Sequence, residues 1–120
     1  MRQIIVNYKL KDFLLKIYKC KISFELIVIN KKPKRRLGTY LCANHKIIVY
    51  SKDMDIIEIK HTAIHEYAHH IHETEQGGIH GHGRYRSHGE IFWRIYSALM
   101  AEASKRGLFE DPLIQDIVIY

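Results

Sequence analysis

This sequence has few cysteines and no long apolar run, and both absences exclude classes of protein. Cys20 and Cys42 stand far apart and form no C-x-x-C pair, so a disulfide framework is not expected. No apolar run approaches the roughly 18 residues that cross a bilayer. Lysines interrupt the segment after residues 4–6, where a signal peptide would need an unbroken apolar stretch. We therefore expect a cytoplasmic protein with no membrane segment.

Length and charge indicate the kind of domain. At 120 residues, of which 47% are apolar, the chain suffices for one compact domain, residues 1–120, and is too short for two ordinary ones. The net charge of +6 is unevenly spread, because residues 1–60 hold 14 basic against 5 acidic residues. The densest basic cluster spans residues 31–36. Two interpretations of it stay open: a patch that attracts nucleic acid, or a solvated hairpin tip.

The order of apolar segments and turn residues predicts an α+β fold. Apolar residues at helical spacing indicate an N-terminal amphipathic helix over residues 10–18. Segments rich in β-branched and aromatic residues then predict three strands, at 22–30, 39–43 and 46–51. The short links between these strands favour a three-stranded antiparallel sheet. The apolar end of residues 111–120 predicts a final strand or helical turn.

Two capping boxes predict the helices of the second half. Asp55 with Glu58 marks the start of the first helix, which should end at a glycine pair. Ser87 with Glu90 marks the start of the second, with His88 at its first helical position. A loop rich in glycine, histidine and arginine separates the two helices.

The first of these helices carries the pattern H-E-x-x-H, as His65-Glu66-Tyr67-Ala68-His69. Residues four apart lie on one face of a helix, so the imidazoles of His65 and His69 should point at a common site. Two neutral imidazoles can hold zinc, and Glu66 can accept a proton from a water that the metal activates. The pattern therefore predicts two metal ligands and a general base, provided that a third ligand arrives from elsewhere.

The third ligand must be chosen from many residues, since eight of the nine histidines fall in the second half of the chain. One straight helix cannot supply three tetrahedral ligands, so a separate segment should fold back. His80, His82 and His88 qualify by position, and His88 is preferred because a helix start would hold it rigidly. A carboxylate, Glu90 or Glu102, remains an alternative and would make the site similar to that of a gluzincin.

Two segments together resemble the SprT-like zinc metallopeptidase family. Residues 62–69 (TAIHEYAH) fit its T-x-x-H-E-x-x-H helix, and residues 88–92 (HGEIF) fit the H-G-x-x-F motif that opens its next helix. The resemblance covers most of the chain and implies a zincin-like minimal metallopeptidase with one zinc ion. The ligands and the catalytic base that it implies are His65, His69, His88 and Glu66.

The implied activity is hydrolysis of peptide bonds in protein substrates, with DNA-associated proteins as one expected class. By analogy with zincins, we expect the substrate to lie extended along the strand at 46–51. His82, Arg84 and Tyr85 are unranked candidates for stabilising the oxyanion. The role of His80 and the oligomeric state stay open.

Two other functions also stay open. One is a minimal gluzincin-like or phage-type repressor-cleaving peptidase with a carboxylate as its third ligand. The other is a metal-binding or nucleic-acid-binding module without turnover, which would use the histidine-rich loop or the basic half of the chain.

Overall fold

A computed structural model of the protein describes residues 4–6, 8–32, 35–76 and 88–110, and these residues form an α+β fold as expected. The strands and helices, in chain order, are β1 (Ile4–Val6), α1 (Tyr8–Ile17), β2 (Glu25–Ile29), β3 (Gly38–Leu41), β4 (Lys46–Tyr50), α2 (Ile56–Glu75) and α3 (Glu90–Lys105), followed by a 3₁₀ turn (Leu108–Glu110). No helix among the described residues has both the length and the apolar character needed to cross a membrane.

The prediction of a three-stranded antiparallel sheet is wrong, because the described residues form a mixed sheet of four strands. Its order is β1-β2-β4-β3. Strand β1 pairs antiparallel with β2, and β3 pairs antiparallel with β4, but β2 and β4 run parallel with Ile27 opposite Ile48. Strand β1 is only three residues long, too short to show an alternating pattern in the sequence.

Burial explains why β4 rather than β3 lies beside β2. Ile47 and Val49 of β4 are fully buried, and four of the five residues of β2 are buried, whereas β3 becomes more exposed towards Leu41. A strand in the middle of a sheet has a neighbour on each side, so β4, which is more buried than β3, takes the place beside β2. The link from β2 to β3 therefore passes the end of β4, where the Tyr50 amide donates to the Leu37 carbonyl at 3.0 Å.

Helix α2 is capped as predicted and packs against the sheet. The Asp55 carboxylate accepts from the Glu58 amide at 2.8 Å, and the Glu58 carboxylate accepts from the Asp55 amide at 3.4 Å. The helix ends at Glu75, just before the glycine pair. Its apolar face contacts β3 and β4, and its core residues join those of α1, β2 and α3 in one buried cluster.

The predicted start of α3 is wrong by about two residues. The N-cap is Gly89, in an extended conformation, and the first helical residue is Glu90. His88 therefore lies in the turn before the helix and not at its first helical position. The prediction that Ser87 is the cap and the predicted element in residues 111–120 lie outside the described residues.

Candidate metal centre

Three histidine side chains from two segments meet beside α2. His65 and His69 lie one turn apart on the helix, with ring centroids 5.1 Å apart. The turn before α3 brings His88 to the same point, and its Nε2 is 3.1 Å from Nε2 of His65 and 3.1 Å from Nε2 of His69. Within the described part of the chain, these three histidines are close enough to hold a metal ion.

The distances between the nitrogens suit a shared cation better than hydrogen bonds. A neutral imidazole nitrogen has a single lone pair in the ring plane, so Nε2 of His88 cannot accept two well-aligned N–H bonds at once. Metal–nitrogen bonds of about 2.0–2.1 Å at tetrahedral angles separate the nitrogens by about 3.3 Å. The observed 3.1 Å contacts lie near that value.

Packing of α3 holds His88 against the α2 pair. Phe92 is fully buried, and its ring stacks on the His69 ring at a centroid distance of 4.3 Å. The same phenylalanine ring lies 5.0 Å from those of His65 and His88. One aromatic side chain of α3 therefore contacts all three imidazoles, and it fixes the position of the helix start relative to α2.

The protonation of the α2 histidines favours metal binding. Burial, followed by the neighbouring His88, lowers the pKa of His65. Burial, followed by the neighbouring His65 and His88, lowers the pKa of His69 to about 3. Both rings are thus neutral at pH 7, and a neutral ring has the lone pair that a metal requires.

Glu66 lies beside the histidines as a buried carboxylate. Its side chain is only 6% exposed, and burial raises its pKa to about 7, against the opposing positive charge of Arg36. A group whose pKa is near the working pH can both accept and return a proton. This carboxyl can therefore exchange a proton near neutral pH.

A cleft of about 780 Å³ opens over these residues. One wall is β3 with the link that precedes it, and the other includes Tyr96 of α3. The residues that line the cleft are Arg35, Arg36, Leu37, Gly38, Thr39, Tyr40, Cys42, His61, Thr62, His65, Glu66, His69, Glu73, His88 and Tyr96.

The prediction that residues 46–51 form an edge strand, along which a substrate could extend, is wrong. Strand β4 is paired on both sides, with β2 and with β3, so its backbone groups are already bonded within the sheet. Strand β3 is one of the two edges of the described sheet, and it lines the cleft. Strand β3 is at the edge in place of β4 because the mixed topology puts the more buried strand, β4, in the interior of the sheet.

The two carboxylates proposed as alternative third ligands have other partners. The Glu90 carboxylate accepts from Arg94 at 2.7 Å, and the Glu102 carboxylate lies 3.6 Å from the Arg106 guanidinium. His61 lines the cleft but packs edge-on against Phe109. His80, His82, Arg84 and Tyr85 lie outside the described residues.

His70 belongs to a separate polar cluster behind the site. Its Nε2 donates to the Ile22 carbonyl at 2.6 Å, which leaves Nδ1 to accept from the Tyr40 hydroxyl at 2.9 Å. The same hydroxyl lies 3.1 Å from Nδ1 of His45. Tyr40 thus links the edge strand to α2, a contact that no local sequence pattern indicates.

The cleft also contains residues that sequence reasoning did not place there. Among them are Gly38, Tyr96 and Arg36, of which the last was described only as part of the basic cluster at 31–36. A pattern along one segment reports its own helix or strand, whereas these positions depend on how the segments pack.

Comparisons of the chain with protein-family models, with curated proteins and with solved structures found no match.

Proposed function

We propose that this protein is a zinc-dependent endopeptidase in which His65, His69 and His88 hold the metal and Glu66 is the general base. The observation that carries the proposal is the convergence of three Nε2 atoms beside a buried carboxylate at the foot of a cleft. Three protein ligands that leave one position open are the usual arrangement of catalytic zinc, whereas structural zinc is closed by four.

Zinc fits the donor set. All three donors are imidazole nitrogens, which suit zinc and other borderline metals and are poor ligands for calcium or magnesium. When bound, zinc supplies Lewis acidity, which makes a water at the site more acidic and polarises a peptide carbonyl.

The protein residues would supply proton transfer and positioning. Glu66 takes a proton from the attacking water and then returns it to the amine that leaves the cleaved peptide bond. In the metal-free protein, burial raises the pKa of Glu66 to about 7, which favours its uptake of a proton. Burial of this carboxylate among α2, β3 and the histidines keeps bulk water away from its proton.

Strand β3 offers a place for an extended substrate. Its inner side pairs with β4, and its other side is free to pair among the described strands. A peptide that adds to this edge would gain main-chain hydrogen bonds along the cleft wall, as in β-augmentation. Such a peptide would pass beside Glu66 and the metal centre.

The resemblance to SprT-like peptidases extends the proposal to a family. In this structure His88 and Phe92, the first and last positions of the H-G-x-x-F motif, contact the α2 histidines directly. That contact gives the motif a physical reason: the histidine binds the metal, and the phenylalanine sets its position. A carboxylate third ligand has less support, because Glu90 and Glu102 lie beside arginines.

Metal analysis and proteolysis of purified variants test the proposal. Wild type should retain about one zinc per chain and cleave an unfolded protein substrate. His88→Ala should lose tight zinc binding, while the matched carboxylate variants Glu90→Gln and Glu102→Gln should keep it. Glu66→Gln should keep zinc and lose about 10²–10⁴-fold in activity, the usual contribution of a general base.

Two results would contradict this assignment. Undiminished proteolysis by Glu66→Gln would exclude the proposed base and point to a contaminating peptidase. Zinc retained by His88→Ala but lost from Glu102→Gln would favour the gluzincin-like alternative.

A further inference from the structure

Two arginines of the basic cluster face the cleft. Arg35 and Arg36 lie in the link between β2 and β3, and both line the cleft together with the three histidines and Glu66. Arg36 is near enough to Glu66 for its charge to oppose the rise in the pKa of that carboxyl. The remaining described lysines of the cluster do not line the cleft, and Lys32 lies 4.0 Å from Asp53 instead.

The link that carries these arginines is anchored to the sheet. The Leu37 carbonyl accepts from the Tyr50 amide at 3.0 Å, directly after Arg36. The Arg36 guanidinium donates from Nη1 to the Thr39 hydroxyl on β3 at 3.3 Å. Gly38 packs so tightly that a Cβ there would lie 2.8 Å from the Ile48 carbonyl. These contacts hold Arg36 beside the edge strand before any ligand arrives, which lowers the entropy cost of binding.

Neither guanidinium forms an ion pair with a carboxylate of the described residues. The ion pairs found there join Lys32 to Asp53, Arg94 to Glu90 and Arg106 to Glu102. An unpaired guanidinium next to a cleft creates a positive potential and offers a planar fork of donors that fits a carboxylate. A metal cation at the histidines would add to this potential.

We propose that the cleft selects peptide substrates that carry an aspartate or glutamate near the scissile bond, with Arg36 and Arg35 binding that carboxylate. This inference rests on the proposed peptidase function and names its substrate class. An extended peptide on β3 passes the Thr39–Arg36 contact close to Glu66, so an acidic side chain there reaches the guanidinium without leaving the strand. Arg36 is then a specificity residue, and Glu66 remains the base.

The distribution of basic residues favours a peptide over nucleic acid. A nucleic-acid backbone is bound by a track of cations along several phosphates. Here the cluster is divided, with Lys32 beside Asp53 and Arg35 and Arg36 at the cleft. One carboxylate of a peptide needs only one guanidinium as its partner, and Arg36 lies near Glu66.

Cleavage of matched peptides tests this inference on the full-length, zinc-loaded protein. A series of paired fluorogenic peptides is used. The two peptides of each pair differ at a single position, which is Glu in one and Gln in the other, and successive pairs move this position along the residues around the scissile bond. Wild type should favour the Glu peptide at one position by about five- to tenfold in kcat/KM, and the preference should fall with added salt. Arg36→Gln should lose most of it, and the control Lys52→Gln, which removes a charge away from the cleft, should keep it.

A binding arm separates failure of this inference from failure of the proposed function. Anisotropy of labelled Glu and Gln peptides is measured with zinc-loaded Glu66→Gln, alone and combined with Arg36→Gln, so no turnover is needed. Equal affinity for both peptides overturns the inference even if the protein cleaves nothing. Equal cleavage of both by wild type overturns it while the peptidase function stands.

DNA binding by the arginine variants distinguishes a nucleic-acid role from the binding of acidic peptides. If Arg35→Gln/Arg36→Gln lost affinity for a short DNA duplex and kept its discrimination between the peptides, the acidic-substrate inference would be overturned. Unfolding curves confirm that each variant is folded, and these exposed side chains should tolerate Gln.

Discussion

Replacing Gly38 by alanine tests how closely the edge strand β3 packs against helix α2. A Cβ at this position would lie 2.8 Å from the Ile48 carbonyl oxygen, 2.8 Å from Cγ2 of Thr62 and 3.3 Å from Cγ of Glu66. The first contact is with backbone inside the sheet and cannot rotate away. Gly38 is therefore needed because the strand backbone approaches α2 closely at the site, and not because of an unusual backbone angle.

The expected cost follows from two opposing effects. Overpacking of a tight site usually destabilises a protein by about 1–3 kcal/mol. Alanine also restricts the unfolded chain, which would stabilise the fold by about 0.4–1 kcal/mol if there were room. The structure therefore predicts a net loss of roughly 1–2 kcal/mol for Gly38→Ala, or a fall in Tm of about 3–10 °C for a chain of this size. The sign of the stability change is informative by itself, because alanine in place of an unobstructed strand glycine would raise the stability.

A rescue experiment identifies the clash. Thr62→Ser removes Cγ2 and keeps the hydroxyl that donates to the Glu58 carbonyl at 2.8 Å. Urea unfolding of Gly38→Ala, Thr62→Ser and the double variant gives a coupling free energy, which should favour the double variant by about 0.5 kcal/mol or more. On the proposed function, displacement of Glu66 should also lower kcat by about tenfold with less effect on KM.

The reasoning fails if Gly38→Ala is as stable as wild type or more stable. It also fails if Thr62→Ser costs the same in both backgrounds, since the two side chains would then not compete for space. A loss of stability with unchanged kcat would restrict the role of Gly38 to the fold.

Two further predictions concern buried polar groups. Lys60 is fully buried and donates from Nζ to the carbonyls of Leu108 and Phe109 at 2.9 and 2.6 Å. Lys60→Met should therefore lower the free energy of unfolding, measured in urea, by about 2–4 kcal/mol. A loss no larger than that of the exposed control Lys52→Met would refute this role. Burial lowers the pKa of His70 below its ordinary 6.5, so the unfolded chain takes up this proton at a higher pH than the folded protein does. The free energy of unfolding of the metal-free protein should therefore fall as the pH drops below about 6.5. This residue should contribute up to about 1.4 kcal/mol per pH unit. An unchanged pH slope in His70→Gln would show that His70 does not titrate as the structure implies.

The sequence alone predicted features that depend on interactions between residues close together in the chain: helices α1 and α2 and part of the metal centre. The apolar spacing of α1 and the Asp55–Glu58 capping box act within a few residues, and both are present in the structure. The four-residue step from His65 to His69 is likewise a property of one helix, so their shared face followed from helical geometry. His88 was preferred as the third ligand for an expected helix start, although the helix begins at Glu90.

Only the tertiary structure decided which segments meet. The order of β4 and β3 depends on which strand buries more apolar surface, a comparison between segments that no local pattern contains. Strand β3, and not the predicted residues 46–51, is therefore an edge of the described sheet. The position of His88 against the α2 histidines depends on Phe92 packing between them.

The basic cluster shows the same division between sequence and structure. The sequence determined its charge and left its surroundings open between a nucleic-acid patch and a solvated tip. The mixed sheet carries the link past the end of β4 and places Arg36 at the cleft beside Glu66. Composition determines the charge of a segment, whereas the field that it exerts depends on distance and burial, which only the packed fold sets.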